Sequence, residues 1–177
     1  MKILVFNRLV VLLVTGLLLT MVGCSDANES NPAGVSGYNY TDFYIDQFRV
    51  SNEDQNLSAF GSNIMPKDRG EVRSTGGEMC CIGIPAHWRP GMKLVVKWNI
   101  DKIQDGRTPG KWYTATTEVP PYDPGTYGFV VHFLPSDRIR VQVLDKSGIL
   151  ERIDDRDPYV AQGVLDPELN ENKENAQ

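Results

Sequence analysis

Residues 92–100 carry the regular alternation of apolar and polar side chains that is typical of a β-strand. The apolar positions are Met92, Leu94, Val96, Trp98 and Ile100, and the polar ones are Lys93, Lys97 and Asn99. Successive side chains of a strand point to opposite faces, so this pattern predicts one face on a core and the other in water. Pro90 and Gly91 form a turn signal just before it. Residues 76–98 are therefore predicted to form a strand, a corner and a second strand.

The rest of the chain repeats the pattern in short segments separated by turn residues. Alternation or high β-propensity marks residues 38–50, 111–119, 126–134, 138–144 and 149–153, with a bulge expected near Asp46 and Gln47. Only residues 167–176 suggest a helix, short and solvated. Short strands with frequent turn signals predict an all-β fold, a small antiparallel β-sandwich or open barrel with long loops. Its predicted core contains Val96, Trp98, Phe129, Val131, Val141 and Val143.

The first 24 residues predict export and lipidation. Lys2 and Arg8 precede a short apolar run, and Gly23 and Cys24 follow it. A basic start, an apolar stretch and a small residue before the cut describe a secretory signal peptide, and the cysteine directly after the small residue is similar to a bacterial lipoprotein signal. Cys24 is therefore the predicted acylated residue. An uncleaved membrane anchor is the alternative, although the run is short for a span of about 20 residues.

The residue after Cys24 bears on the location. In lipoproteins generally, aspartate at that position favours retention in the inner membrane, but this chain has Ser25. The expected location is the outer membrane, facing the periplasm, with attachment through the acyl chains alone. Removing residues 1–23 takes away two basic and no acidic residues, which changes the formal charge from −5 to −7. Nucleic acid, which calls for a basic face, is therefore not an expected partner.

Composition divides the chain into four predicted parts. Residues 1–23 are the lipoprotein signal peptide, and residues 24–37, rich in Asn, Ser, Gly and Pro, are a flexible tether. Residues 38–160 are the β domain, and residues 161–177 are a polar C-terminal tail. Within the domain, residues 51–75 are predicted to form a long loop, with or without one short strand, a length that is uncommon unless the loop is functional or disordered.

Cys80 and Cys81 are adjacent, and two interpretations remain open for them. An exported protein favours a disulfide. However, the Cα atoms of neighbouring residues lie about 3.8 Å apart across a trans peptide, whereas disulfides prefer about 4.4 Å or more. A vicinal disulfide would therefore need a distorted turn. The alternative is two thiols in a strand, one in the core and one outward. Nothing resembles the C-x-x-C arrangement of thiol redox enzymes.

The remaining chemistry-bearing residues suggest no reaction. A zinc site from Cys80, Cys81 and His87 lacks the C-x₂-C spacing, so no metal is expected. His132 is interpreted as a partly buried structural histidine, and the acidic run of Asp154, Asp155 and Asp157 as a solvated surface. The sequence has no nucleophile elbow, phosphate-cradling loop or dinucleotide motif, so neither a cofactor nor catalysis is predicted.

Three ordered blocks carry a family resemblance. They are YNYTDFYIDQFRV, GGEMCCIGIPAHWRPGMKLVVKW and PPYDPGTYGFVVHFLPSDRIRVQV, which together cover residues 38–144. The chain resembles a family of small bacterial lipoproteins catalogued as domain of unknown function 3304, which has no assigned catalytic residues. Members are often found beside genes for type VI secretion lipase effectors. The resemblance thus implies that some members are immunity lipoproteins.

Two classes of function follow. In the first, an anchored periplasmic β domain presents loops that bind and neutralise a protein partner, a type VI secretion phospholipase effector, with residues 51–75 supplying contacts. In the second, the domain is an envelope ligand-binding module or enzyme that uses the corner of Cys80, Cys81 and His87. A neighbouring lipase gene would favour the first class.

Overall fold

The computed structural model describes residues 30–54, 57–125, 128–145, 147–154 and 156–174, and within them it contains eleven strands and one short helix. The strands are β1 (Ser30–Asn39), β2 (Tyr44–Asn52), β3 (Ser58–Gly61), β4 (Ser74–Thr75), β5 (Met79–Pro85), β6 (Lys93–Asp101), β7 (Lys111–Glu118), β8 (Gly128–Leu134), β9 (Arg138–Leu144), β10 (Ala161–Gln162) and β11 (Val164–Leu165), and the helix is α1 (Pro167–Glu174). The predicted all-β class is confirmed. Within these residues, no helix is long and apolar enough to cross a membrane.

The strands form two sheets that pack as a sandwich. Sheet I has the order β10-β9-β8-β1-β4, and β5 also pairs with β1. Sheet II has the order β11-β7-β6-β2-β3. Neighbouring strands are antiparallel except β1 and β8, which run parallel. A shift in the β2–β6 register between Ile45 and Gln47 confirms the predicted bulge.

The core between the sheets is built by the inward positions of the central strands. All six predicted core residues belong to it, and Trp98 is only 1% exposed. Aromatic rings join the two layers: Phe133 of β8 packs edge-on against Phe48 of β2, with the ring centroids 5.1 Å apart. The alternation read from the sequence therefore gives the correct inward face on β6, β8 and β9.

The tether predicted for residues 24–37 is wrong for residues 30–37, which form most of β1. Residues 24–29 lie outside the described part of the chain. β1 is a central strand, parallel to β8 on one side and antiparallel to β5 on the other. Ala33 and Val35 are fully buried. Their small side chains, interspersed with Pro32 and Gly34, gave the segment the composition of a linker.

The polar tail predicted for residues 161–177 is also wrong for its described residues. β10 extends sheet I and β11 extends sheet II, so this segment closes one side of the sandwich. Asp166 then forms a buried ion pair with Lys97 on the outer face of sheet II, with 2.9 Å between Nζ and Oδ2. The predicted helix is confirmed as α1. The domain therefore extends beyond the expected 38–160 in both directions.

Two loop predictions need correction. Residues 51–75 contain two short strands, β3 and β4, and an isolated bridge joins Ile64 to Ile45. No strand forms over residues 149–153. These residues lie instead on the outer face of sheet I, where Gln142 donates a hydrogen bond to the Ile149 carbonyl at 3.0 Å and accepts one from the Glu151 N–H at 3.2 Å.

The two ends of the sandwich differ in construction. We call the end where β1 begins the corner end; Ser30 pairs with Pro85 there, and residues 86–92 lead into β6. We call the opposite end the turn end, formed by residues 40–43, 62–73, 102–110 and 135–137. β1 and β8 run in the same direction and both finish at the turn end, whereas their antiparallel neighbours run the opposite way. Each loop between strands therefore lies at one of these two ends.

Asn39 organises the turn end. This asparagine is fully buried at the end of β1. Its Oδ1 accepts hydrogen bonds from the Thr41 N–H and hydroxyl at 3.0 and 2.7 Å, and its Nδ2 donates to the carbonyls of Phe43 and Met65 at 2.7 and 3.0 Å. Buried polar groups are costly unless they are paired, and three of these four contacts are to the backbone. Asn39 therefore holds residues 41–43 and the backbone at Met65 together at the turn end.

Candidate functional site

The cysteine pair lies on β5, at the side of the sandwich. Cys80 and Cys81 are joined by a disulfide, the peptide bond between them is cis, and both residues are exposed. Neither side chain enters the core. This differs from the alternative interpretation of the sequence, in which one free thiol lies in the core and the other points outward. The pair lies at an exposed edge of the sandwich, where β3 and β5 approach each other. The Ser62 hydroxyl, just after β3, donates a hydrogen bond to the Gly77 carbonyl, just before β5, at 2.9 Å. Phe60 and Met79, 55% and 45% exposed, lie on these two strands.

His87 does not join the cysteines. It lies two residues beyond the end of β5, and the extended chain from Cys81 to Pro85 alone covers about 13 Å. Its side chain is exposed at the corner end. Among the described residues, no group of three or more His, Cys, Asp or Glu side chains is placed to hold a metal ion. The corner on which the second class of function depends is thus not assembled in this structure.

His132 is fully buried, more deeply than the sequence suggests. It pairs with Tyr38 and Arg140 on the flanking strands, and its ring stacks on Tyr38 with 5.8 Å between centroids. Burial lowers its pKa to about 3, and the Arg140 guanidinium adds to this shift. The ring is therefore neutral at neutral pH. Tyr40 hydrogen-bonds to its Nδ1 at 3.1 Å, and burial raises the pKa of that phenol, which keeps its proton.

Arg140 holds the following segment onto the outer face of sheet I. Its guanidinium is nearly fully buried and forms ion pairs with Glu151 and with Asp157, the latter at 2.8 Å. A buried charge requires such partners. Asp157 is therefore an ion-paired side chain rather than part of a solvated acidic run. Asp154 is exposed, as expected, and Asp155 lies outside the described residues.

A groove of about 680 Å³ opens between this segment and the loop that contains Val72 and Arg73. Its walls combine apolar and charged groups: Tyr40, Val72, Arg73, Leu134, Arg152 and Ile153 line it, together with Glu151, whose carboxylate forms an ion pair with Arg140. Leu134 is buried and forms an apolar floor, whereas Val72 is 71% exposed. Such mixed lining suits a ligand or partner with an apolar side chain next to a negative charge.

Arg73 is positioned by aromatic rings. Its guanidinium carbon lies 4.7 Å from the centroid of Tyr38 and 6.0 Å from that of Tyr40, which are cation–π distances. Within the described part of the chain it forms no ion pair with a carboxylate, in contrast to Arg140. The guanidinium is thus held at the groove with its charge available to an acidic group.

Further exposed apolar residues surround the turn end. Met65 is 64% exposed and Ile103 is 63% exposed. Their loops are tied to residues 40–43: the Lys67 N–H donates to the Thr41 carbonyl at 3.1 Å, and the Gln104 side chain donates to the Asp42 carbonyl at 2.8 Å. These hydrogen bonds hold the two exposed apolar side chains at the same end of the sandwich as the groove.

The sequence analysis named the loop that contributes Val72 and Arg73 to the groove but did not name these residues, and partner contacts from that loop remain a prediction. Residues 51–75 were expected to supply contacts, and Val72 and Arg73 come from that stretch. The one available signal was Val72, a single apolar residue between Glu71 and Arg73 in a long polar loop. The contribution of Tyr40 depends on where β1 ends and was not foreseen. Cys24, the predicted lipidation site, lies outside the described residues.

The comparisons with known proteins identify a family and nothing closer. The family model described as protein of unknown function (DUF3304) matches residues 38–141, more than half of the chain. Neither a curated protein nor a solved structure matches. The matched range omits most of β1, the segment after β9 that Arg140 holds, and the closing strands β10 and β11.

Proposed function

This chain belongs to the DUF3304 family of proteins of unknown function, and we propose that it is an outer-membrane lipoprotein that binds and neutralises a protein partner in the periplasm. The apolar run before Gly23 and Cys24 supports lipidation at Cys24. Ser25, in place of aspartate, supports the outer membrane. Two or more acyl chains make such attachment stable, so the domain itself needs no membrane-binding surface.

The observation that carries the proposal is the turn end. Val72, Met65 and Ile103 are each more than 60% exposed there, and the Asn39 side chain holds the backbone at Met65. Val72 lines the groove together with Arg73, and an exposed apolar side chain next to a positioned guanidinium is the kind of contact whose burial gives protein interfaces their affinity. The partner is expected to present an apolar side chain next to a carboxylate.

The family resemblance directs the proposal to a phospholipase effector of type VI secretion. Such a toxin attacks lipids from the periplasmic side, so protection must act there. The protein neutralises it by occupying its active site or entry cleft and performs no reaction. The separation of His87 from Cys80 and Cys81 supports binding over chemistry at that corner.

A titration tests the proposal. The soluble domain, lacking residues 1–24, is added in increasing amounts to the lipase encoded next to it, and phospholipid hydrolysis is measured. Binding by occlusion predicts that inhibition saturates near one equivalent, because each inhibitor blocks one enzyme molecule. Protection at a small fraction of an equivalent would indicate catalysis instead. The absence of both complex and inhibition at micromolar concentrations would refute the proposal for this partner.

Surface variants then locate the interface. Val72→Asp and Arg73→Glu are each expected to weaken binding about tenfold or more, because they place charge in the apolar contact or reverse the charge that receives the carboxylate. Val164→Asp is the matched control, since Val164 is 60% exposed but lies on β11 of sheet II. Equal losses of binding affinity for Val72→Asp and Val164→Asp would show that the groove is not the interface.

A further inference from the structure

The anchor point and the fold together restrict the orientation of the domain on the membrane. The inference rests on the proposed lipidation of Cys24. Only residues 25–29 separate that cysteine from Ser30, where β1 begins. Six residue steps span at most about 20 Å even when fully extended. Ser30 therefore cannot lie further than this from the acylated residue.

The domain can stand upright on the bilayer in two ways, and the length of β1 makes the distance from Ser30 to the bilayer surface very different in the two. β1 has 10 residues and, at about 3.3 Å per residue, separates the corner end from the turn end by about 30 Å. If the turn end faced the bilayer, Ser30 would stand about 30 Å above the surface, beyond the reach of residues 25–29. The covalent connection thus excludes the inverted orientation.

We infer that the corner end, with His87 and Arg89, faces the bilayer, and that the turn end with its groove faces the periplasm. A sandwich lying on its side would also satisfy the connection. The formal charge of −7 beyond residue 23 disfavours that arrangement on an anionic bilayer surface. The upright domain presents Val72, Arg73 and Ile103 to a partner that arrives from the periplasm.

This orientation specifies the kind of partner that the groove fits. The partner must approach from the periplasm and must carry its acidic and apolar contact group on an accessible surface. An enzyme already embedded in the outer membrane, which anchors the domain, would be on the wrong side of it, about 30 Å from the groove. Neutralisation therefore occurs by interception in the periplasm, before the lipase inserts into that membrane.

Energy transfer to a labelled membrane tests the orientation. The full-length lipidated protein is reconstituted into phospholipid vesicles whose headgroups carry an acceptor dye. The donor is attached to a cysteine introduced by His87→Cys at the corner end or by Ile103→Cys at the turn end; both positions are exposed. Labelling is done without reductant, with the disulfide intact, and protein without either substitution reports background labelling.

The expected result is several-fold more efficient transfer from position 87 than from position 103, corresponding to a height difference of about 30 Å. Equal transfer from the two positions, or a larger transfer from position 103, would overturn the orientation while leaving the inhibition titration intact. The domain that lacks residues 1–24 has neither the apolar run nor the acylated cysteine, and it should give no transfer from either position. Transfer that survives this truncation would show that the domain itself binds the bilayer, which would remove the premise of attachment through Cys24 alone and this inference with it.

Discussion

Gly163 lies against the indole ring of Trp98. A Cβ atom added at Gly163 would come within 2.3 Å of Cη2 of Trp98 and 2.6 Å of the Asp137 carbonyl oxygen. Gly163 links β10, on the edge of sheet I, to β11, on the edge of sheet II, and its N–H donates to the Asp137 carbonyl at 2.8 Å. The missing side chain lets the C-terminal segment close the sandwich directly over its largest core residue.

Gly163→Ala is therefore expected to destabilise the domain by about 1–3 kcal/mol, because a core ring or a backbone segment must move to admit the methyl group. Urea unfolding of the soluble domain measures the loss. Gly83→Ala is the matched control, since its added Cβ would meet nothing closer than 3.5 Å. Similar stabilities for the two variants would mean that the segment does not pack on Trp98.

Trp98 itself is expected to contribute strongly to stability. It is 1% exposed and packs against Tyr113 and Phe133, with ring centroids 5.7 and 6.0 Å away. Trp98→Ala should lower the free energy of unfolding by about 3–5 kcal/mol, the usual cost of emptying a large aromatic site. Phe60→Ala, at a position 55% exposed, should cost about 0.5 kcal/mol or less. A loss under about 1 kcal/mol for Trp98→Ala would contradict its burial.

The sequence predicted the parts of the fold in which large apolar residues alternate with polar ones. β6, β8 and β9 were found with the correct inward face because Trp98, Phe129 and Val141 give a strong period-two signal. β1 was missed because its inward residues are Ala33, Val35 and Gly37, whose small side chains carry little signal. Burial of such residues depends on β8 and β5, which are distant in the sequence.

The outer faces were predictable only in part, for a related reason. Lys97 and Gln142 occupy polar positions of strands, and the pattern alone assigns such positions to water. Lys97 is 8% exposed and Gln142 is 4% exposed, because later segments of the chain lie over them. Residues 149–154, Asp157 and residues 161–166 are held there by ion pairs and hydrogen bonds, and hydrophobic periodicity does not detect such pairing. The groove at the turn end depends on the same covering segment.

The state of the cysteines has a direct chemical test. Because Cys80 and Cys81 are both exposed and bonded to each other, neither is expected to react with iodoacetamide in the native protein. After reduction, both thiols should be alkylated in the folded protein, with no denaturant added. Mass spectrometry of the peptide that contains the pair counts the added groups. Two alkyl groups before reduction would establish that the residues are free thiols.

His132 is expected to make stability depend on pH above the range in which carboxylates titrate. Its pKa is about 3 in the folded state, against about 6.5 in an unfolded chain. Below pH 6.5 the unfolded state therefore binds a proton that the folded state does not, so its stabilising contribution is complete above pH 6.5 and declines as the pH falls towards 3. Between pH 7.5 and 5, the free energy of unfolding should drop by about 2 kcal/mol from this group alone.

Replacing the ring with a group that does not titrate separates this effect from the rest of the protein. His132→Gln should flatten the slope of unfolding free energy against pH between 7.5 and 5, whatever it does to stability at pH 7.5. His87→Gln is the matched control, because His87 is exposed at the corner end, and the slope should persist in that variant. Urea titrations at four or five pH values measure both slopes. A slope that survives unchanged in His132→Gln would show that His132 is not its source, contrary to the burial of this ring between Tyr38 and Arg140.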